Sequence, residues 1–368
     1  MMARSFQLCT ILCSVLQLST ALVSTHAFSI HSTFGKRTAL SVKSADAVDE
    51  TLSKDQNSEI WDLSLFSPAK INIFLRIIRK RDDGFHDLAS LFQTIGFGDY
   101  LHLKLLDDEE SAATEDELTC NMEGVPTDKS NLVLRAIDLV RENTGIMDKF
   151  FKCDLVKYVP HQAGLGGGSG NAAAAMYGAN ELLGRPASLE QLVEWSGDLG
   201  SDITFFLSEG TAYCTGRGEI MTPVKALPAG QTVYIVKPDI GLSTPSVFKA
   251  LDYDLLSTMD PEEVLDVFMT EGVGTKNKDV FINDLEPPAF KVVPLLKELK
   301  DDLISCGFDT VMMSGSGTSI FCLGKPGDTE KFDELIVARE DVQVYPTEFI
   351  NRAGCDGGWY EDPATKSD

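Results

Sequence analysis

The chain has 368 residues, of which 43% are hydrophobic and 24% are charged, and its formal net charge is −24. This composition supplies enough apolar material for a packed core and argues against a disordered chain. The negative charge argues against a binder of nucleic acid or of anionic lipid, because both surfaces attract clustered Lys and Arg.

The N-terminal residues have the composition of a targeting leader. Leu8 to Val23 is largely apolar and uncharged, with Arg4 before it, as is typical of a secretory signal peptide. Residues 28–44 are rich in Ser and Thr and contain basic but no acidic residues, as in a transit peptide. The combination resembles the bipartite plastid leader of algae with secondary plastids, such as diatoms. We therefore predict a leader over residues 1–44 and a location in the chloroplast stroma, with secretion as the alternative.

The remaining chain is expected to have no membrane association. No stretch after the leader approaches the ~18 consecutive apolar residues of a spanning helix. Residues 45–58 are polar and are predicted to be a linker. The eight cysteines include no Cys-x-x-Cys pair and no metal-like spacing, which indicates a reducing compartment without structural disulfides.

A β-rich region begins at Trp61. Apolar runs and period-two alternation predict strands over Leu63–Phe66, Ile71–Ile78 and Leu101–Leu105. We interpret the acidic residues 107–110 and 115–117 as a solvated hairpin loop and not as a metal cluster. The apolar residues of Asn131–Glu142 have helical spacing.

The next predicted elements lie on both sides of a glycine-rich turn, and a second group of strands and helices follows after Pro223. Strands are predicted over Phe151–Val159, Phe205–Leu207 and Thr211–Cys214, and helices over Asn171–Leu183 and Leu189–Leu199. Beyond Pro223, strands are predicted over Thr232–Lys237 and Ser319–Leu323, and helices over Pro245–Leu251, Pro261–Met269 and Phe290–Ser305. Of these, Phe205–Leu207 is predicted to be a short strand and Phe290–Ser305 one continuous helix. This second group places a domain boundary near residue 225, with domains over 59–225 and 226–355 and a tail over 356–368.

The turn is the most specific feature of the sequence. It reads Pro160-His-Gln-Ala-Gly164-Leu-Gly166-Gly167-Gly168-Ser169-Gly170-Asn171, followed by four alanines. Glycine permits left-handed φ and leaves no Cβ between backbone N–H groups and an anion. A helix that starts there adds unpaired N–H donors and the positive end of its dipole, which together favour phosphate. The alternative is a flexible glycine-rich loop.

Known phosphate-binding and nucleophile motifs do not account for this turn. It lacks the Gly-Lys-Ser/Thr of a Walker A loop and the last glycine of the dinucleotide fingerprint. The Gly-x-Ser-x-Gly nucleophile elbow is absent as well. Pro-x-x-Ala-Gly-Leu-Gly-Gly-Gly-Ser instead resembles the central motif of the GHMP kinases.

Four further segments resemble this family in its own order. They are Ser67-Pro-Ala-Lys70-Ile-Asn72 with Asp83-Gly-Phe85-His86, Gly200-Ser-Asp202-Ile-Thr-Phe-Phe, Asn283-Asp-Leu-Glu286 and Ser314-Gly-Ser-Gly317. The first three resemble the member of the family that phosphorylates a cytidine diphosphate-linked polyol in the non-mevalonate isoprenoid pathway. The run Ala212–Glu219 further resembles its plant and algal plastid versions.

The resemblance implies an α+β fold of two domains, with ATP and substrate in the cleft between them. The N-terminal, ATP-binding domain would contain a left-handed βαβ unit, against the usual right-handed rule, and the C-terminal domain would be ferredoxin-like. The implied activity is ATP-dependent phosphorylation of the 2-hydroxyl of the polyol, with Mg²⁺. The metal ligands are unknown, with Ser169 as a candidate. The expected state is a monomer or homodimer.

The resemblance also implies the catalytic residues. Asp202, which we place at the entrance of a strand, is the general base, and Lys70 is its partner. A nearby ammonium keeps such a carboxylate ionised and stabilises negative charge on the hydroxyl. The alternative is a structural ion pair or a helix-cap Asp. ATP contacts are implied at Pro160, Ala163, Gly164, Leu165, Gly166, Gly167, Gly168, Ser169 and Gly170, with Asn131 at the adenine.

The resemblance also implies the substrate contacts. Phe85 and Phe248 stack on the two faces of cytosine and His86 binds its edge. Asn72 contacts the sugar-like part and Thr244 completes the set. The alternative for the aromatic residues is ordinary core packing. The alternatives for the chain are another GHMP kinase, of homoserine or mevalonate type, and a GHMP-fold binding protein without catalysis.

Four positions depart from the family pattern. Phe85 stands in place of a common Tyr, Gly170 in place of a second Ser and Thr204 in place of a Pro, and His161-Gln162 is unusual before Ala163. Gly170 is expected to remove one hydroxyl from the phosphate turn, and Thr204 to loosen the loop after Asp202. None of the four removes a reacting group.

Overall fold

The computed structural model describes residues 60–106, 114–352 and 358–365. The predicted leader and linker, and the acidic residues 107–110, lie outside the described residues. Within them the chain forms two β-sheets with helices packed against them, so the predicted α+β class is confirmed. None of the helices in these ranges is both long enough and apolar enough to cross a membrane.

The first sheet has six strands. They are β1 (Leu63–Lys80), β2 (His86–Leu106), β3 (Glu117–Cys120), β4 (Phe150–Val156), β5 (Thr211–Gly216) and β6 (Ile220–Pro223). The order is β3-β4-β2-β5-β6, and β1 pairs antiparallel with β2 from Leu63 opposite Leu103 to Lys80 opposite His86. Residues 65–77 of β1 are all buried, which explains the nearly continuous apolar run that predicted this strand.

The helices of this half cover one face of the sheet. They are α1 (Leu132–Thr144), α2 (Gly167–Leu182), α3 (Leu189–Ser196) and α4 (Ile203–Phe206). Helix α1 connects the parallel strands β3 and β4 and so completes a βαβ unit. Four consecutive alanines, residues 172–175, are fully buried in α2, because small side chains let this helix approach α1 and β1 closely.

The second sheet has four antiparallel strands in the order β10-β7-β9-β8. They are β7 (Thr232–Pro238), β8 (Thr310–Met313), β9 (Ile320–Leu323) and β10 (Val342–Glu348), with helices α5 (Thr244–Lys249), α6 (Pro261–Glu271), α7 (Glu286–Val292), α8 (Leu295–Ser305) and α9 (Thr329–Ala338). The domain boundary predicted near residue 225 falls between β6 and β7 and stays a prediction. The five cysteines of the described ranges are free thiols.

Three predicted elements differ from the structure. Phe205–Leu207 begins in helix α4, because a short, fully buried apolar run does not distinguish helix from strand. The helix predicted over Phe290–Ser305 is broken into α7 and α8 at Pro294, which cannot continue a helix. Residues 115–117 are not simply a solvated loop, because the Asp116 carboxylate is buried against the Arg141 guanidinium, and Glu117 begins β3.

Candidate active site

The glycine turn between β4 and α2 has a conformation that requires glycine at two positions. Gly164 has φ 75° and Gly166, which caps the start of α2, has φ 70°. A Cβ on Gly164 would lie 2.2 Å from the carbonyl oxygen of Ser314, and one on Gly166 would lie 3.1 Å from Cγ of Lys70. Helix α2 begins at Gly167, four residues earlier than predicted, so its unpaired N–H groups belong to the turn itself.

Neighbouring segments hold the turn by its carbonyl groups. The Ser319 N–H donates to Ala163 O at 3.1 Å, Ser314 Oγ to Gly164 O at 2.9 Å, and the Lys70 N–H to Leu165 O at 2.9 Å. Both sheets therefore fix one turn, since Lys70 belongs to β1 and the two serines flank the loop between β8 and β9. A flexible loop, the alternative left open by the sequence, is excluded by this geometry.

A cavity of about 410 Å³ lies against this turn. Of the ten residues expected to bind ATP, nine line it: Asn131, Pro160, Ala163, Gly164, Leu165, Gly166, Gly167, Gly168 and Ser169. Asn131 caps α1, with its Oδ1 accepting from the Val133 N–H at 2.8 Å. Gly170 does not line the cavity, and a Cβ there would lie 2.8 Å from the carbonyl oxygen of Pro68. The expected effect of Gly170 on the phosphate turn stays a prediction.

A buried polar cluster, missed by the sequence reasoning, lies behind the turn. Lys157 Nζ donates to the carboxylate of Asp99 and to Asn171 Oδ1, and Asn171 Nδ2 donates to Asp99 Oδ2 at 2.9 Å and to Ser67 Oγ at 3.0 Å. Asp99 Oδ1 also accepts the backbone N–H groups of residues 158 and 159. The cluster joins β1, β2 and the end of β4 to the first turn of α2, and it leaves an ammonium at the edge of the 410 Å³ cavity.

A second cavity of about 620 Å³ contains every predicted catalytic and substrate-binding residue: Lys70, Asn72, Phe85, His86, Asp202, Thr244 and Phe248. It shares Gly164 and Gly166 with the first cavity. The glycine turn thus lines both cavities and is their common wall. In the described part of the chain, no cluster of three or more His, Cys, Asp or Glu side chains forms a metal site.

Lys70 and Asp202 form an ion pair at the common wall. Lys70 Nζ lies 3.4 Å from Asp202 Oδ2, with the lysine side chain 5% exposed and the aspartate side chain 32% exposed. Asp202 precedes α4 as its N-cap residue and is not at a strand entrance, so that part of the prediction is wrong. Its side chain makes no cap hydrogen bond to this helix, which leaves the carboxylate directed at the cavity.

A chain of hydrogen bonds orients Lys70 from behind. Lys70 Nζ donates to Asn72 Oδ1 at 2.8 Å, Asn72 Nδ2 donates to Ser90 Oγ at 2.8 Å, and Ser90 Oγ donates to Phe74 O at 2.6 Å. The ammonium also lies 4.5 Å from the centre of the Phe92 ring. Both polar atoms of the Asn72 amide are used in this chain, so Asn72 orients the lysine as well as lining the cavity.

Aromatic side chains form the far end of the cavity. The rings of His86 and Phe248 stack with their centroids 4.8 Å apart, and His86 Nε2 lies 2.6 Å from the hydroxyl of Tyr253. Burial and the nearby Lys80 ammonium lower the pKa of His86 below its usual 6.5. The Phe85 ring is 55% exposed and lies 5.2 Å from the guanidinium carbon of Arg217. This end of the cavity is therefore lined by aromatic rings, and stacking of a base on Phe85 and Phe248 stays a prediction.

Two of the family-like segments have structural functions that sequence reasoning did not assign. Asn283 Nδ2 donates to the carbonyls of Met313 and Gly315 at 2.8 Å each, and Glu286 Oε1 accepts the Met313 N–H. These bonds hold the loop over Ser314–Gly317 against the glycine turn. The hydroxyl of Thr204 lies 2.8 Å from that of Ser196, which joins α4 to α3. The expected loosening after Asp202 stays a prediction.

Family models and a solved structure match the chain. The model of the GHMP kinases N terminal domain matches residues 131–210, and that of the GHMP kinases C terminal domain matches residues 273–340. The crystal structure of a 4-(cytidine 5'-diphospho)-2C-methyl-D-erythritol kinase is similar to this chain, with a TM-score of 0.64 and 27% sequence identity. The match covers 79% of this chain and 100% of that one. The two-domain GHMP kinase fold implied by the sequence is confirmed.

Curated relatives agree over most of the chain. The chloroplastic/chromoplastic 4-diphosphocytidyl-2-C-methyl-D-erythritol kinase of Solanum lycopersicum is 44% identical over 317 residues, which are 85% of this chain and 76% of that protein. The chloroplastic enzyme of the same name from Oryza sativa subsp. japonica is 46% identical over 313 residues, 84% of this chain and 75% of that protein. The chain therefore belongs to the 4-diphosphocytidyl-2-C-methyl-D-erythritol kinase family of the GHMP kinases.

Proposed function

We propose that this chain transfers the γ-phosphoryl group of ATP to the 2-hydroxyl of 4-diphosphocytidyl-2-C-methyl-D-erythritol, with Asp202 as general base and Lys70 as its partner. One observation carries the proposal. The Lys70–Asp202 pair lies in a cavity that shares the glycines of the phosphate turn with a second cavity. The relatives that bear this activity in their names support the choice of substrate.

The two cavities divide the reaction between them. The polyphosphate of ATP lies on the N–H groups at the start of α2, where the helix dipole favours negative charge. Its γ-phosphate reaches the common wall at Gly164 and Gly166. The substrate hydroxyl approaches this phosphate from the second cavity, within reach of Asp202, and positioning of this kind is the main contribution of a protein to phosphoryl transfer.

The Lys70–Asp202 ion pair handles the proton of the hydroxyl and the negative charge that develops on its oxygen. The hydroxyl oxygen bonds to the γ-phosphorus while the bond from that phosphorus to the bridging oxygen breaks and ADP leaves. The Asp202 carboxylate accepts the proton of the hydroxyl, which remains on Asp202 until solvent removes it. The Lys70 ammonium, held at 2.8 Å by Asn72, stabilises the negative charge that develops on the attacking oxygen. Its burial strengthens this effect, because a charge acts more strongly where water is excluded.

Ser169 fits a magnesium ion that accompanies ATP. Its hydroxyl lines the cavity in the first turn of α2, and Mg²⁺ commonly takes few protein ligands beside phosphate oxygens and water. The ion neutralises phosphate charge when it is bound. The proposal for Ser169 concerns one ligand only, since the described residues contain no dedicated carboxylate cluster.

We further propose that the protein acts in a plastid. The relatives from Solanum lycopersicum and Oryza sativa are named chloroplastic, and the composition of residues 1–44 is that of a leader. A fluorescent protein fused behind residues 1–44 should accumulate in the plastid of an alga with secondary plastids. Export of this fusion to the medium would support secretion instead.

Product analysis tests the activity. The protein is incubated with Mg-ATP and, in parallel, with 4-diphosphocytidyl-2-C-methyl-D-erythritol, homoserine or mevalonate, and products are followed by phosphorus NMR. We expect a new phosphomonoester signal only with the cytidine diphosphate-linked polyol. A signal with homoserine or mevalonate instead would assign another GHMP kinase activity. Binding of nucleotide without ADP release from any of the three would favour a non-catalytic protein.

A further inference from the structure

We propose that Arg217 binds the diphosphate of the substrate, between the aromatic residues at one end of the 620 Å³ cavity and Asp202 at the other. This inference rests on the proposed function. It adds a substrate-binding residue that none of the family-like motifs assigned.

The position of Arg217 is set by the hairpin between β5 and β6. Gly216 and Gly218 have φ 69° and φ 113°, and the Gly218 N–H donates to Thr215 O at 3.0 Å, so Arg217 lies at the tip of a tight turn. Its side chain lines the cavity. A rigid turn, not a long loop, therefore presents the guanidinium.

This turn reaches towards both ends of the cavity. A Cβ on Gly218 would lie 3.4 Å from Asp202 Oδ1, which places the turn beside the proposed base. On the other side, the Arg217 guanidinium carbon lies 5.2 Å from the centre of the Phe85 ring. A ligand extending from the rings to Asp202 must pass Arg217. In a cytidine diphosphate-linked polyol, the group between the base end and the reacting hydroxyl is the diphosphate.

Among the basic side chains that line this cavity, Arg217 has N–H donors available for a ligand. Lys70 is committed to Asn72 and Asp202, and the lowered pKa of His86 keeps that ring neutral at pH 7. Among the described residues, the only carboxylate in ion-pair range of Arg217 is Glu219, whose Oε1 lies 3.6 Å from Nε, beyond hydrogen-bond distance. The Arg217 side chain is 40% exposed, and the planar array of N–H donors on its guanidinium suits two phosphate oxygens at once.

A different interpretation of the same contacts makes a different prediction. If Arg217 only stacks on Phe85 and holds that ring in place, its loss weakens binding of cytidine as much as binding of CDP. If Arg217 contacts the diphosphate, its loss weakens binding in proportion to the phosphates present. A series of cytidine, CMP and CDP separates the two.

The test is calorimetric titration of the full chain with these three ligands, in the wild type, Arg217→Gln and Arg79→Gln. Arg79 is the matched control, because its side chain is 74% exposed, lines neither cavity, and leaves Asp87 paired with Arg81 when removed. We expect Arg217→Gln to weaken CDP binding about 10- to 100-fold, as loss of a charge-assisted hydrogen bond does, with cytidine binding unchanged. The KM for the polyol substrate should rise by the same factor, while the KM for ATP and kcat stay near wild type.

Two results would overturn the proposal while leaving the proposed function intact. One is an equal loss of cytidine and CDP affinity in Arg217→Gln, which would assign Arg217 to support of Phe85. The other is wild-type CDP affinity in this variant. A wild-type protein that binds none of the three cytidine ligands would overturn the proposed function itself, and the proposal with it.

Discussion

The two ends of the substrate cavity are built in opposite ways. At the transfer end, Lys70, Asn72 and Ser90 are at most 4% exposed and are joined by hydrogen bonds of 2.8 Å. At the ring end, Phe85 is 55% and Tyr253 is 47% exposed. A buried, fully bonded chain fixes the position of the reacting groups, whereas exposed rings contribute contact area and can be reoriented. Changes at the transfer end should therefore lower turnover, and changes at the ring end should alter substrate affinity.

The largest effect is expected at Asp202. Asp202→Asn removes the proton acceptor and should lower kcat by about 10²- to 10⁴-fold, as loss of a positioned general base does. The melting temperature should stay near wild type, because the side chain is 32% exposed and makes no cap hydrogen bond to α4. Steady-state kinetics and thermal unfolding measure both. Asp198→Asn, an exposed neighbour outside the cavity, is the control, and a kcat in Asp202→Asn as high as in this control would remove Asp202 from the mechanism.

The second-largest effect is expected at the glycine turn that forms the common wall. Gly164→Ala should destabilise the fold by about 2–4 kcal/mol, the sum of a strained left-handed φ and an overpacked contact. Gly145→Ala measures the cost of the left-handed φ alone, because Gly145 has the same φ of 75° but no atom within 4 Å of its Cβ position. Denaturant unfolding of both variants gives the difference. Equal free energies of unfolding would mean that Ser314 does not pack against the turn as described.

The hydrogen-bond chain behind Lys70 is expected to give an intermediate effect. Ser90→Ala leaves the Asn72 amide unsatisfied in a buried site and should cost about 1–3 kcal/mol of stability. It should also lower kcat more than it changes the KM for either substrate, because the position of the Lys70 ammonium is released. Ser305→Ala, which removes an exposed hydroxyl that donates to a backbone carbonyl, is the control. A Ser90→Ala variant with the stability of this control would contradict the chain.

The smallest effect is expected at the ring end, on pH. Because burial and the Lys80 ammonium lower the pKa of His86, this ring takes up a proton at a lower pH than an ordinary imidazole does. Folding thus favours the neutral ring, and this contribution to stability is lost as the pH falls through the lowered pKa. The KM for the polyol substrate should be constant above pH 6.5 and rise several-fold below it, with little change in kcat. In His86→Gln the rise should be absent, and an unchanged rise there would assign the titration to another group.

Motifs of a known family placed residues of both ends of the cavity in the sequence, Lys70 and Asp202 as well as His86 and Phe248, and the structure brings them together. The contacts that their side chains make with one another were not predicted. The stacking of His86 on Phe248 and Tyr253 depends on segments more than 150 residues apart in the chain, and no periodicity encodes it. The cluster of Asp99 with Lys157 was missed for the same reason, since its partners are 58 residues apart.

The secondary-structure elements were also predicted with unequal success. Two parts of β1, the end of β2 over Leu101–Leu105, and most of helices α1 and α2 were predicted from periodic or apolar runs. The first 15 residues of β2 were not predicted. Helix α4 was mistaken for a strand, because all four of its side chains are buried and neither period is visible. The placement of Asp202 at a strand entrance followed from that error, although the residue itself was correctly brought to the cavity.

A crystal structure with a non-hydrolysable ATP analogue and 4-diphosphocytidyl-2-C-methyl-D-erythritol tests the central claim most directly. The account predicts phosphates on the N–H groups at the start of α2, and the reacting hydroxyl within hydrogen-bond distance of Asp202 and facing the terminal phosphate beside Gly164 and Gly166. A nucleotide bound away from this turn, or a hydroxyl out of reach of Asp202, would contradict it.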